Sequence, residues 1–325
     1  MKHIIHIFGA SGSGTTTLGR ALAADLGLVH MDTDDYFWLP TDPKFTTKRP
    51  IDKRLALMQA DIDAADKGVV ISGSLTGWGD LLIPRFTCAI RLDTPTEVRL
   101  ERLRGREYAH FGERIREGGD MYENHLAFLD WAAQYDTGDV TMRSKACHDE
   151  WMKLLACRQV FVPGDTPLDR LVRRVKQAVF GIQPMMIANY TELQHLWLST
   201  PGMGLNDLDD SREGIASFIA RNPRTSFVAE QDGQLTGAIM AGHDGRRGYI
   251  YHTCVRADRQ GEGIGRALVE AALDALRAEG IHKVALVAFR RNEQGNAFWE
   301  KMGFSTREDL VYRNLGLTEL VRIDT

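Results

Sequence analysis

The segment GASGSGTTTLGRAL, from Gly9 to Leu22, constrains the fold of this chain more than any other feature of the sequence. It directly follows the apolar run HIIHIF, so a short buried strand would lead into a glycine-rich turn and then a helix. Such a turn aims backbone N–H groups at one point, where the helix N-terminus adds partial positive charge. The pattern predicts a phosphate-binding loop made of Gly9, Gly12, Ser13, Gly14, Thr15, Thr16 and Thr17.

One position of this loop departs from the usual phosphate-loop pattern. Thr15 stands where a lysine normally supplies a mobile charge to the transferring phosphoryl group, whereas Thr16 keeps the hydroxyl that holds Mg²⁺. A replacement cation would have to come from elsewhere in the chain. The sequence offers Lys44, Lys48, Arg49, Arg99, Arg102, Arg104 and Arg106, and the four arginines from Arg99 onward equally fit a solvated helix face.

The opening segment GASGSGTTTLGRALAADLGLVHMDTDDYF resembles the P-loop small-molecule kinases of the shikimate and gluconate kinase type. The resemblance implies that Asp32 and Asp34 meet magnesium and the acceptor hydroxyl, with Thr16 and Asp32 as the metal-binding pair. It also implies a magnesium or substrate loop at SGSLTGWGD, after the third strand. The stretch EGGDMYENHLAFLDWAAQYD fits either a lid over an acceptor pocket or an amphipathic helix packed on the sheet.

The order of predicted elements divides the chain of 325 residues into two domains. Strands alternate with helices over residues 1–181, which predicts a parallel sheet with helices on both faces. The helix breakers of GIQP, Gly181 to Pro184, end this pattern. Residues 185–325 read as a mixed α+β domain that contains a hairpin at Asp232-Gly233 and a last strand near LVYRNLG. The fold class is therefore α/β with a second, mixed domain.

A second glycine-rich turn lies in the stretch YIYHTCVRADRQGEGIGRAL. A strand ends at Val255, and Gln260-Gly261-Glu262-Gly263-Ile264-Gly265 opens the next helix. Bare N–H groups and a helix dipole again meet at one point, which suits a pyrophosphate group.

Together with RRNEQGNAFWEKMGF after the strand KVALVAF, this order is similar to the GNAT family of acetyl-CoA-dependent N-acetyltransferases over roughly residues 186–316. The resemblance implies that acetyl-CoA lies on the backbone of Cys254, Val255 and Arg256, on Gln260 through Arg266, and beside Asn292. Many relatives carry a tyrosine before EKxGF that protonates the leaving thiolate, but this chain has Trp299. Tyr251, His252 and Tyr312 are the alternative acid or base candidates, and a strand histidine such as His252 also fits simple core packing.

Charge, cysteine usage and hydropathy limit the classes of partner. The formal net charge of −4 does not indicate nucleic acid as a partner. The four cysteines form no Cys-x-x-Cys pair, and the spacing of Cys147, His148 and Cys157 fits no common zinc module. The sequence shows neither a signal peptide nor an apolar run long enough to span a membrane, so we expect a cytoplasmic protein.

These features predict an acetyl-CoA-dependent N-acetyltransferase fused to a kinase-like domain that binds ATP or GTP with Mg²⁺. The acetyl acceptor would be a small-molecule amine or a protein N-terminus, and the phosphoryl acceptor a small hydroxylated molecule. In one alternative, the P-loop domain is a nucleotide sensor without turnover that regulates the acetyltransferase. In another, it is a structural or dimerising element, as in a homodimer, and binds no nucleotide.

Overall fold

The computed structural model describes residues 2–323 and separates into two compact units, one ending at Val175 and the other beginning at Lys176. The N-terminal unit holds one parallel sheet and the helices around it. Its strands are β1 (His3–Gly9), β2 (Val29–Asp32), β3 (Gly68–Ser72), β4 (Cys88–Asp93) and β5 (Arg158–Pro163). Its helices are α1 (Thr15–Leu26), α2 (Thr33–Phe37), α3 (Ile51–Ala64), α4 (Thr96–Phe111), α5 (Tyr122–Ala133) and α6 (Lys145–Met152). Helix α7 (Leu168–Val179) contains the division between the units.

The parallel sheet has the strand order β2-β3-β1-β4-β5. Every residue of the central strand β1 is buried, as its nearly unbroken apolar run predicts for a strand covered on both faces. The order places the carboxyl ends of β1, β2 and β3 side by side. Strand β3 lies on one side of β1 and β4 on the other, so the direction in which strands are added to the sheet reverses at β1. Such a switch point creates a crevice at the carboxyl edge, the usual place for ligands in open parallel sheets.

The C-terminal unit is built on a mixed five-stranded sheet of order β11-β10-β9-β8-β6. These strands are β6 (Ile182–Pro184), β8 (Phe227–Gln231), β9 (Gln234–His243), β10 (Gly248–Val255) and β11 (Val284–Leu286), and a separate pair consists of β7 (Leu205–Asn206) and β12 (Arg322–Ile323). Its helices are α8 (Tyr190–Leu198), α9 (Arg212–Arg221), α10 (Ile264–Ala278) and α11 (Glu293–Lys301). The predicted α/β class, with a parallel and then a mixed sheet, is confirmed.

Two details differ from the sequence-based expectation. The segment Ile182–Pro184, read as a break between domains, is an edge strand that pairs antiparallel with β8. The strand predicted near LVYRNLG is wrong, since residues 305–321 contain no strand. Leu315 and Leu317 are 84% and 93% exposed, so the apolar side chains of this segment find no neighbouring strand and no face to bury.

Candidate functional site

The N-terminal candidate site is the turn between β1 and α1. Gly12 and Gly14 adopt positive φ angles of 80° and 99°, conformations that glycine reaches without strain. A Cβ on Gly9 would lie 2.5 Å from the carbonyl oxygen of Leu92, and a Cβ on Gly12 would lie 2.6 Å from that of Arg99. Close packing against β4 and α4 therefore requires these two glycines before any ligand is considered.

The N-terminus of α1 lacks the groups that usually satisfy such an end. Its N-cap Gly14 makes no side-chain cap, and its first turn contains no acidic residue. Helix α10 behind Gly263 shares both properties. Every other α-helix described within residues 2–323 has either a side-chain cap or an acid in its first turn, for example Ser211 on α9 and Asp52 on α3. These two N-termini are therefore open to an external anion.

Thr16 and Asp32 meet beside the phosphate loop. The Thr16 hydroxyl donates to Asp32 Oδ2 at 2.9 Å, and Asp32 Oδ1 accepts the Asp34 amide at 3.1 Å. A hydroxyl and a carboxylate at this separation are oxygen ligands of the kind that Mg²⁺ prefers. Residues 2–323 contain no cluster of three or more His, Cys, Asp or Glu able to hold a metal, so a magnesium ion here would need further oxygens from phosphate or water.

Asp34 faces the same crevice. Its side chain still reaches solvent, but desolvation by the surrounding protein, followed by the charge of Asp32, raises the pKa of the Asp34 carboxyl. A raised pKa makes a carboxylate a better proton acceptor for an alcohol near neutral pH. The structure thus brings together Thr16, Asp32 and Asp34 as the sequence predicted, with Ser13 buried in the loop, Thr15 half-buried and Thr17 exposed.

Two of the seven cations proposed to replace the missing lysine hydrogen-bond to carbonyls outside the phosphate loop. Arg99 is fully buried and donates to the carbonyls of Thr94 and Ala132. Arg49 donates to the carbonyls of Tyr36 and Trp38. The remaining candidates Lys44, Lys48, Arg104 and Arg106 are exposed.

Among these candidates, Arg102 is the one whose side chain hydrogen-bonds the loop within residues 2–323. Its Nη1 donates to the carbonyl of Ser13 at 3.3 Å and its guanidinium also bonds the carbonyl of Gly164. It lies 3.7 Å from the position that a Cβ on Gly14 would occupy. Arg102 therefore borders the loop from the side of the α4 helix.

Arg143 is the cation that sequence reasoning missed. Its Nη2 donates to the hydroxyl of Ser11 in the phosphate loop, and its guanidinium carbon lies 4.7 Å from the Trp131 ring centroid. Its buried Nε has no hydrogen-bond partner among residues 2–323. Burial lowers the pKa of Arg143, and the Asp34 charge opposes that shift. Because 132 residues separate Arg143 from Ser11, no local pattern could have found the pair.

Buried histidines support the loop that follows β3. His148 accepts or donates at Ser74 Oγ (3.2 Å) and at the Tyr135 hydroxyl (2.8 Å), while His6 bonds the carbonyl of Gly73 at 2.8 Å. Burial lowers the pKa of His148 to about 3 and that of His6 to about 4, so both rings are neutral at physiological pH. His148, on helix α6, thus supports the predicted substrate loop through Ser74.

The C-terminal candidate site begins where two parallel strands part. Strand β10 pairs with β11 only from Gly248 to Ile250, although β10 itself continues to Val255. An irregularity in the pairing of β10 with β9 falls between Ile250 and Thr253. Beyond Ile250, the β11 side of β10 is therefore a slot with unpaired strand edge.

The resemblance described above implies that the backbone of three residues contacts a cofactor here. Cys254 and Val255 lie in the parted section of β10, with the Cys254 side chain buried and its thiol pKa raised to about 12 by desolvation. The Arg256 amide instead donates to the Thr236 carbonyl at 2.9 Å, and the Arg256 carbonyl accepts from the Arg259 amide at 2.9 Å. Arg256 thus has both backbone groups satisfied within the protein.

The turn after this strand is the second glycine-rich turn predicted from the sequence. Gly261 and Gly263 have φ angles of 79° and 98°, and Gln260 Nε2 donates to the Val255 carbonyl at 3.1 Å. The buried Arg259 guanidinium binds the carboxylate of Glu262, the one acid of the segment Gln260–Gly265, at 2.9 Å. Ile264 is buried in the core below, Gly265 forms part of the first turn of α10, and Arg266 is exposed.

Asn292 and Trp299 lie on the next helix, α11. Asn292 Oδ1 accepts the Gly295 amide at 2.9 Å and so caps that helix. Trp299 packs between Phe298 and Phe304, with ring centroids 5.1 and 5.3 Å away. An indole N–H is not a useful proton donor to a thiolate, so Trp299 does not suit the role that tyrosine has at this position in many relatives.

The three acid or base candidates lie in two different environments. His252 Nε2 lies 2.7 Å from Oδ1 of the buried Asp210, whose Oδ2 accepts the Asn206 amide. Because a carboxylate only accepts, a neutral His252 donates from Nε2 and keeps Nδ1 as a base. Tyr251 and Tyr312 are instead 50% and 68% exposed, and Tyr251 contacts Phe218 and Tyr249. Asp210, 42 residues before His252, had no recognisable signal in the sequence.

Comparison with known proteins decides the family of the C-terminal unit. Residues 190–304 match the acetyltransferase (GNAT) family, and the acetyltransferase ECA0875 of Pectobacterium atrosepticum is 31% identical over 102 residues, which are 31% of this chain and 72% of that protein. The chain belongs to the GNAT family. The solved PaiA N-acetyltransferase of Thermoplasma acidophilum in complex with coenzyme A is 17% identical, with a TM-score of 0.35 over 39% of this chain and 90% of that one.

This GNAT protein also carries a second recognisable domain. Residues 5–121 match an AAA domain, which agrees with the P-loop kinase-like architecture described above. The uncharacterized protein YqaC of Bacillus subtilis is 43% identical over 175 residues, which are 54% of this chain and 96% of that protein. No helix within residues 2–323 is both long and apolar enough to cross a membrane.

Proposed function

We propose that the C-terminal unit transfers an acetyl group from acetyl-CoA to an amine. The observation that carries this proposal is the combination of an uncapped helix N-terminus at Gly263 with a parted strand edge along β10. The helix end suits the pyrophosphate of CoA, and the free strand edge suits the amide-bearing pantetheine arm. Cys254, Val255, Gln260 to Arg266 and Asn292 are the residues proposed to bind the cofactor.

His252 is proposed as the base for the attacking amine. Asp210 holds its ring in one orientation, and the free Nδ1 of the ring accepts the proton that the amine loses as its nitrogen attacks the thioester carbon. The carbon–sulfur bond then breaks, and the thiolate takes a proton from Tyr251, Tyr312 or water. Positioning and stabilisation of the oxyanion carry most of the rate, so loss of the base lowers the rate without abolishing transfer.

Calorimetric titration with acetyl-CoA, followed by release of free CoA thiol in the presence of a panel of primary amines, tests this function. We expect binding of acetyl-CoA and an acetylated amine detectable by mass spectrometry. His252→Gln should lower kcat and leave the affinity for acetyl-CoA unchanged, with His282→Gln, an exposed histidine of the same unit, as the control. No binding of acetyl-CoA would reject the proposal.

We propose further that the N-terminal unit binds ATP or GTP with Mg²⁺ and phosphorylates a small hydroxylated molecule. Support comes from the Thr16–Asp32 pair, the raised pKa of Asp34 and the open N-terminus of α1. Arg143 would supply the charge that Thr15 cannot, because its guanidinium already contacts the loop at Ser11 and has an unpaired Nε. The rival hypotheses are a sensor that binds nucleotide without turnover and a structural element that binds none.

Titration with ATP and Mg²⁺, run beside an assay of ADP release with a panel of alcohols, separates these hypotheses. Tight binding with no ADP favours the sensor, and no binding favours the structural element. Arg143→Gln should weaken ATP binding by about tenfold or more, Arg143→Lys should partly restore it, and the exposed Arg104→Gln is the matched control. If Arg143 serves as the loop cation, Thr15→Lys should be neutral or harmful, because two cations would crowd one phosphate.

A further inference from the structure

A groove of about 520 Å³ opens on the C-terminal unit beside the paired section of β10 and β11. Gly248 and Tyr249 on β10 and Ala285 on β11 line it, and these residues belong to the short stretch where the two strands still pair. Past Ile250 the strands part to form the cofactor slot. The groove therefore begins at the closed end of that slot.

Three cationic side chains line the groove: Arg221 from the end of α9, Arg247 from the β9–β10 turn and Lys283 from the residue before β11. All three are exposed, and none makes an ion pair with a carboxylate anywhere in residues 2–323. They come from three separate parts of the sequence and meet only through the sheet. Their charges converge on the groove without a protein partner.

The carboxylates near the groove already have hydrogen-bond or ion-pair partners within the protein. Asp244, the one carboxylate that lines it, accepts the amides of Arg246 and Arg247 at 2.8 and 2.7 Å. His243 lies 2.7 Å from Glu279, which also binds Arg224. The Asp309 carboxylate lies within electrostatic range of Lys283 but is bound by Arg307 at 2.6 Å. With Arg221, Arg247 and Lys283 against the single carboxylate of Asp244, the lining carries a net positive charge.

One wall of the groove is aromatic. Phe218 meets Tyr251 edge to face at 5.2 Å, and Tyr251 lies against Tyr249 at 4.8 Å between ring centroids. Tyr251 nevertheless stays 50% exposed, so its ring offers an apolar surface to a ligand. Burial is the main cause of the raised pKa values of Tyr249 and Tyr251, so both hydroxyls are protonated donors at neutral pH.

We propose that this groove binds the acetyl acceptor, and that the acceptor is a small amine carrying a carboxylate or a phosphate group together with an apolar body. The inference rests on the proposed acetyl transfer, since it assigns the second substrate of that same site. The cations bind the oxyanion, the aromatic wall binds the apolar part, and the amine reaches the slot at the point where β10 and β11 separate.

The test compares matched amines that differ only in the anion: L-phenylalanine against L-phenylalaninamide, and phosphoethanolamine against ethanolamine. The measured quantity is kcat/KM from CoA thiol release. We expect at least one anionic amine to exceed its neutral partner by about tenfold or more. The carboxylate and phosphate arms distinguish which oxyanion is preferred.

Arg247→Gln should remove most of this preference by raising KM. Arg246→Gln is the matched control, because Arg246 is the neighbouring residue of the same turn and does not line the groove. Calorimetry with acetyl-CoA accompanies every variant. Two outcomes would overturn this inference and leave the proposed function standing, provided that acetyl-CoA still binds. In one, the wild type acetylates the neutral amines as well as or better than the anionic ones. In the other, Arg247→Gln and Arg246→Gln have equal effects. Failure of the wild type to bind acetyl-CoA would overturn the proposed function itself.

Discussion

The two glycine-rich turns of this chain have nearly the same local backbone geometry. Each follows a strand, and each begins a helix behind a left-handed glycine with φ near 100°, Gly14 at 99° and Gly263 at 98°. Neither helix has a side-chain cap at its N-terminus. Their surroundings differ: the first turn is packed under α4 and faces Asp32, Asp34 and Arg143, whereas a Cβ on Gly261 of the second would meet open space.

We infer from this difference that the geometry shared by the two turns favours binding of an anion. The elements packed around each turn then determine which reaction the site can support. Carboxylates and a cation beside the first turn suit a metal-bound nucleotide and phosphoryl transfer. A parted strand beside the second suits a long cofactor arm and delivery of a thioester. Four experiments test this difference between the two turns and the units that contain them.

The largest effect is expected at the second turn. Gly263→Val should weaken acetyl-CoA binding at least about a thousandfold, because a branched side chain blocks approach of the pyrophosphate to several amides at once. Gly265→Val should do the same with less effect on the fold, since its added Cβ would lie 3.5 Å from Phe298 and Val255, an ordinary contact.

Calorimetric titration measures the affinity, and circular dichroism checks the fold. Gly233→Val controls for backbone strain, because Gly233 also has a positive φ of 71° but lies in the β8–β9 turn. A Gly263→Val protein that folds and binds acetyl-CoA like the wild type would contradict the assignment of this turn.

At the first turn, Asp32→Asn should lower the rate of phosphoryl transfer by about 10²–10³, the usual cost of removing an electrostatic contact at a reacting centre. Asp34→Asn should also lower it, by removing the acceptor contact. Asp35→Asn, an exposed neighbour, is the control, and ADP release is the measurement. If the wild type turns over no faster than the double variant at Asp32 and Asp34 on any alcohol, the unit is no kinase, and a change in magnesium dependence of ATP binding would then indicate the sensor.

Acid should destabilise the N-terminal unit more steeply than the C-terminal one. His148 and His6 have pKa values lowered from 6.5 to about 3 and about 4, so below pH 6.5 the unfolded chain binds protons that the folded unit does not. Stability is therefore complete above pH 6.5 and falls as the pH drops towards 4, by about 1.4 kcal/mol per pH unit for each histidine.

Hydrogen exchange followed by mass spectrometry reports each unit separately across this range. His148→Gln should make the pH dependence of the N-terminal unit shallower, and His110→Gln, at an exposed position of the same unit, should not. Equal acid sensitivity of the two units would argue against burial of neutral histidines as the cause.

The smallest effect concerns separation of the units. The predicted domains, 1–181 and 185–325, stay a proposal, and the structure suggests a better cut: a fragment of residues 176–325 should bind acetyl-CoA with the affinity of the full chain. A fragment of residues 185–325 should melt at a lower temperature, because it lacks β6 and the Lys176–Glu270 ion pair of 2.8 Å, whose lysine side chain is only 3% exposed. Loss of binding in the longer fragment would show that the cofactor site depends on the N-terminal unit.

The sequence alone was enough to locate the two strand–turn–helix units and the positions of most strands along the chain. Contiguous residues decide these features, since hydrophobic period and glycine spacing act over a few positions. The placement of Thr16, Asp32 and Asp34 in one region was predictable because all strands of a parallel sheet end at the same edge, although β3 lies between β1 and β2. The tail near Leu315 was not, because a strand-like pattern needs a partner strand that the sequence cannot supply.

The residues of each site that lie far apart in the sequence could be identified only from the tertiary structure. Arg143 reaches Ser11 across 132 positions, and Asp210 meets His252 across 42. Arg221, Arg247 and Lys283 reach one groove from a helix end, a turn and a strand start. No period or spacing encodes such meetings, because they follow from how the sheets order their strands and not from any neighbouring residue.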